Sequence, residues 1–189
     1  MLNSKNLRLA GWLTILSAIV ALPLAAFGLF SGFMADKSTL WIYLEVIFNV
    51  AYTALFVYIF VMMRRLLNEK AGFHGADGYI TTMIALNVVI AALAALASIF
   101  PEAEVVISVA VLVMLVPAGV VAVIFGVKLL KCPDDLFGHL KPFAYLMIVS
   151  GVMLATVILV PFSMLTSIAA DVVLALIFFK SARLAATKT

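Results

Sequence analysis

"PFAYLMIVSGVMLATVILVPFSMLTSIAADVVLALIFFK", residues 142–180, is the stretch whose reading decides the fold, because between Pro142 and Phe179 its only charged side chain is Asp171. As one helix rising 1.5 Å per residue it would be about 58 Å long, nearly twice the roughly 30 Å hydrocarbon thickness of a bilayer. The tetrapeptide "VPFS" offers a break, since proline cannot donate to the helix ladder. The stretch therefore predicts two membrane-spanning helices, 142–160 and 163–180, joined by a tight turn. Five spans with a re-entrant or surface segment is the competing arrangement.

The rest of the chain agrees with a membrane setting. Of 189 residues, 67% are hydrophobic and only 11% charged, with a mean hydropathy of +1.28. A soluble globular domain does not have this composition. Helices and closed barrels both satisfy their backbone groups in lipid, but barrel strands alternate apolar and polar residues, whereas this chain has unbroken apolar runs. The predicted fold is all-α, a polytopic transmembrane bundle in one domain. Four further spans are predicted at 9–34, 40–63, 78–100 and 104–127, giving six spans as three helical hairpins. Lys5 and Arg8 precede the first apolar run as in a secretory signal, but the run is longer than a signal core, which predicts a retained helix.

Lys and Arg accumulate on the cytoplasmic side of short loops. With both termini cytoplasmic, eleven of the twelve Lys and Arg fall inside and only Lys37 outside. This predicts a protein integral to the plasma (inner) membrane with cytoplasmic N- and C-termini. The net charge of +3 is thereby accounted for by topology and lipid headgroups, without nucleic acid.

Function is carried by few residues. Asp171 lies nine residues before Lys180, about 13 Å inside the boundary that Lys180 marks, where an ionised carboxylate costs several kcal/mol unless protonated, paired or hydrated. Ser167 precedes it by one turn on the same helix face. Glu45, Asn49 and Tyr52 share a face of the second span and lie towards the outer entrance. Asn87, Ser108, Ser150 and Thr156 are further polar residues inside spans. Together they suggest a transport site for a proton or cation at Asp171, Glu45, Asn49, Tyr52, Asn87 and Ser167. The competing role for each is packing, as an interhelical hydrogen bond.

Small residues mark expected helix contacts: Gly28 and Gly32 in the first span, Ala91, Ala94, Ala95 and Ser98 in the third, Ala118, Ala122 and Gly126 in the fourth. The third span is expected to be central. Pro23 and Pro117 are expected to kink their helices. The lone Cys132 excludes an intramolecular disulfide and a Cys-x-x-Cys motif. His74 and His139 fall in loops and are read as solvated residues, and no metal or other cofactor is expected. No Gly-x-Ser-x-Gly, His-Glu-x-x-His or phosphate-loop motif occurs, so the chain is not expected to be an enzyme. The leading expectation is a small permease or channel-like protein for a proton, cation or small solute. The alternative is a non-catalytic membrane subunit or scaffold. The expected partners are the lipid bilayer and either a second copy, as a homo-oligomer, or another membrane protein.

Overall fold

A computed structural model describes residues 3–31 and 39–187; within these, the side chains of 25–31, 39, 101 and 161 are not described. The described residues form six α-helices and no strand: α1 (Ser4–Ser31), α2 (Thr39–Ala71), α3 (Asp77–Ile99), α4 (Glu104–Leu129), α5 (Leu140–Ala155) and α6 (Val160–Ala186). A single 3₁₀ turn, Pro101–Ala103, joins α3 to α4. Five of the helices are long and apolar enough to cross a membrane, and the exception is α5, at 16 residues. Its length is about 24 Å, short of the hydrocarbon thickness.

The stretch 142–180 breaks in two, as its length required. The break comes earlier than the proline: α5 ends at Ala155 and Pro161 already sits in the first turn of α6, where its missing N–H costs nothing. The turn is made by Thr156–Leu159, with Val157 at φ 60°. Left-handed backbone is costly for a β-branched residue. Three amides of the turn are occupied, Thr156 N donating to Val152 O, Val157 N to Leu154 O and Ile158 N to Thr156 O, as an apolar environment favours.

Each helix packs on its neighbours in sequence, and α1 also packs along α6, so the six helices close into a ring. The Ser4 hydroxyl donates to Ala182 O at 3.0 Å and Lys70 Nζ to Ser181 O at 2.9 Å. These bonds gather the starts of α1 and α3 with the ends of α2 and α6 at one end, here termed proximal; the α3–α4 and α5–α6 turns lie at the distal end. Expected as central, the third helix instead packs, among the described residues, on α2, α4 and the turn that follows it. Its small residues did not draw in a third partner.

The closest helix approach is between α4 and α5. A Cβ on Gly119 would lie 2.5 Å from Gly151 O, one on Gly151 2.7 Å from Gly119 O, and one on Gly126 2.7 Å from Ala144 O. Gly119 and Gly151, neither expected as a contact, thus form the seam with Gly126, because only a missing side chain lets two backbones approach this closely. The seam also fixes the register: Gly119 stands opposite Ala155, so α4 outruns α5 by Glu104–Ala118, about 22 Å. Pro117 lies where α4 leaves α5. Gly32 lies outside the described residues, as do Lys37 and the side chain at Gly28.

Burial is lopsided. The apolar core, including Leu7, Met63, Leu66, Ile80, Phe125, Phe143 and Phe178, comes from the proximal halves of all six helices. Phe60 and Phe125 meet across the ring at a centroid distance of 6.1 Å. The distal part of α4 is bare, with Val105 and Val106 about three-quarters exposed. In water such a surface would be unfavourable; in hydrocarbon it costs nothing.

Candidate functional site

Asp171 projects from α6 toward α1, where the buried Ser17 hydroxyl lies beside its carboxyl group. The Tyr52 hydroxyl, on α2, lies within electrostatic range of the same carboxylate. No Lys or Arg pairs with Asp171 among the described residues. Among the described residues, the carboxyl group thus has hydroxyl neighbours and no cation. A neutral carboxylic acid is compatible with such partners, and so is a carboxylate joined by an incoming cation or proton.

The site continues along α6. Ser163, Ser167 and Asp171 follow at four-residue steps, which aligns them on one helix face. The hydroxyls of Ser150 and Ser167 are 2.9 Å apart, and Ser150 Oγ also lies 3.3 Å from Ser163 O. Ser163 Oγ donates to Val160 O at 2.7 Å. On α1, buried Thr14 precedes Ser17 by one turn and donates to Ala10 O at 2.8 Å. A polar seam therefore runs along α6 where it meets α5 and α1, with Asp171 its ionisable member among the described residues.

The other predicted positions lie elsewhere. Glu45 and Asn49 are half-buried on the Tyr52 face of α2, while Tyr43, Ile47 and Val50, off that face, are exposed. Glu45 lies seven residues from Tyr52, about 10 Å further toward the distal end. Asn87 is half-buried on α3 with an Oδ1 that is buried and unpaired, and α3 does not pack on α6. Ser108 and Thr156, both expected to face the interior, are exposed. Thr156 instead bonds Met153 O at 2.8 Å at the end of α5, a local bond that a hydroxyl takes where a helix ends.

Ser17 was the principal omission. Its signal was present: Thr14 and Ser17 are one helical turn apart in an otherwise apolar run, "WLTILSAIV", but hydroxyls in spans are common enough that spacing alone does not single them out. A second omission lies at the proximal corner of α2 and α3. Asp77 accepts from Arg64 Nε at 3.1 Å and from Asn68 Nδ2 at 3.1 Å to each oxygen, with His74 Nδ1 at 3.5 Å. His139 has different company: its Nδ1 is 2.7 Å from Phe137 O and its Nε2 is 3.3 Å from Lys180 Nζ. The two histidines therefore do not converge.

The chain matches no family model, no curated protein and no solved structure.

Proposed function

We propose that the chain is a small permease or channel-like protein of the plasma membrane for a proton, cation or small solute, with Asp171 as the group that takes up and releases the ion. The observation that carries this reading is an acidic side chain inside an apolar helical bundle that has the neutral Ser17 beside it and, among the described residues, no Lys or Arg paired with it. A midplane acid without a cationic partner is costly to maintain, and such residues mark ion or proton pathways. In this account the distal halves of the helices admit the ion past Glu45, Asn49 and Tyr52. Asp171 takes up a proton as the carboxylate, or gives its proton to water and binds a cation in its place, and Ser17 keeps the carboxyl oriented. The aromatic and aliphatic core at the proximal end acts as the barrier that must rearrange for release.

The same proposal takes the six helices as three hairpins with both termini in the cytoplasm, following the Lys and Arg distribution. The test is uptake into proteoliposomes under an imposed pH or cation gradient. Gradient-dependent flux above that of empty liposomes is expected, and its absence for protons and for a panel of monovalent cations would overturn the reading.

A second reading, a non-catalytic membrane subunit or scaffold, is favoured by one observation: Ser150, Ser163 and Ser167 satisfy one another within the bundle. In that reading the seam fixes how α1, α5 and α6 pack, and the bare distal stretch of α4 receives another membrane protein.

A further inference from the structure

At the proximal end of the α1–α6 contact there is a surface cavity of about 570 Å³, lined by Arg8, Trp12, Leu176, Phe179, Lys180 and Arg183 with Ala182 at its floor. Its shape has a local cause. Gly11 lets the Phe179 ring lie against α1, where a Cβ would come within 2.8 Å of it. Trp12 packs edge-on against Phe179 at 5.4 Å. The ring thus sinks and the space beside it opens, walled by aromatic and aliphatic carbon and rimmed by three cations. Among the described residues none of the three forms an ion pair with a carboxylate; Lys180 Nζ lies 3.3 Å from His139 Nε2.

We infer that this cavity binds one anionic phospholipid, its phosphodiester held by Arg8, Lys180 and Arg183 and the start of an acyl chain lying on Trp12 and Leu176. Charge complementarity selects the occupant. Three unneutralised cations around one recess need an anion, and the guanidinium groups suit phosphate oxygens in particular. Basic pockets between transmembrane helices at the cytoplasmic leaflet bind such headgroups. The apolar wall, with Trp12 61% exposed, has no use for a free inorganic ion but fits a lipid chain, and a Trp at the interface is suited to it. The site lies on the outer surface of the bundle, apart from Asp171, and does not depend on the transport reading.

Trp12 itself reports occupancy once Trp41, the other of two tryptophans, is replaced in a Trp41→Phe background. The full-length protein is placed in nanodiscs of phosphatidylcholine containing rising fractions of phosphatidylglycerol with brominated acyl chains, or of brominated phosphatidylcholine as the comparison. Quenching of Trp12 is expected to reach half its maximum at about a tenfold lower fraction of the anionic lipid. Arg8→Gln, Lys180→Gln and Arg183→Gln combined should abolish that preference. Arg183→Gln alone, in the exposed last turn of α6, should weaken it with folding intact. Lys128→Gln, a basic residue outside the cavity, should leave it unchanged. Equal quenching by the two lipids would overturn the inference, and so would an unchanged preference in the Arg183 variant or a loss of preference on adding inorganic phosphate at low millimolar concentration.

Discussion

Ser17 on α1 lies beside the carboxyl group of Asp171 on α6, bringing the first helix to the last at the acidic side chain of the polar seam. The α1–α6 contact closes the helical ring. The same contact therefore serves the packing of the bundle and the chemistry of the proposed site.

Gly151 gives the most direct test of the packing. A Cβ there would meet Gly119 O at 2.7 Å and Val123 N at 2.9 Å, both backbone atoms. Gly151→Leu should push α4 from α5 and cost about 2 kcal/mol or more, read as a lower melting temperature in detergent. A variant that melts like the unaltered protein would show that the two helices do not touch at this point.

The turn between α5 and α6 predicts the opposite sign. Val157 holds φ 60°, a region open to glycine and costly for valine by about 1 kcal/mol. Val157→Gly should raise stability by a similar amount, and Val157→Ile should lower it or leave it unchanged. Destabilisation by glycine would mean that the turn adopts a different backbone.

At the proximal corner, Asp77 is the shared acceptor of Arg64, Asn68 and His74 and stands in the first turn of α3. Asp77→Ala removes several hydrogen bonds and a favourable charge at a helix N-terminus, and is expected to cost about 1–2 kcal/mol. Chemical denaturation of the detergent-solubilised variant measures it. Asp77→Asn should recover part of the loss, since the amide oxygen still accepts from Arg64.

Cys132 follows α4 and is buried. Burial pushes its thiol above the usual range, and the nearby Asp134 and Asp135 charges push the same way. A higher pKa leaves less thiolate at any given pH, so maleimide labelling of Cys132 should be slow at neutral pH and keep rising above the pH at which an exposed thiol levels off. Fast labelling at neutral pH would contradict this. The slow native background makes topology measurable: Glu102→Cys, in the distal turn, should react with an impermeant reagent added outside intact cells, and Thr187→Cys should not. The reverse pattern would invert the proposed orientation.

Much of the architecture was legible because lipid leaves the backbone few options. Apolar run length and the break near Pro161 were enough to separate α5 from α6. What could not be read was relative placement. The residues that bring α4 and α5 together, Gly119 and Gly151, look like any glycine in a span until the register is known, and α5 ended a turn early because the strained Val157 turn precedes the proline. Asp171 stood out in the sequence because an acid in an apolar run has a large cost attached to it. Ser17 did not, since a hydroxyl in a helix can satisfy itself on its own backbone, as Thr14 does. Ser108 and Thr156 show the reverse error, polar residues in spans that turned out to face outward.

The central claim is that Asp171 exchanges a proton or cation during transport. Its most direct test is gradient-driven flux in proteoliposomes for Asp171→Asn beside the unaltered protein, with the melting temperature of each measured in parallel. The amide keeps the shape of the carboxyl group and can still hydrogen-bond Ser17, but it cannot ionise. The account predicts loss of flux with a nearly unchanged melting temperature. Flux in the Asn variant equal to that of the unaltered protein would contradict it and leave Asp171 as a packing residue of the α1–α6 contact.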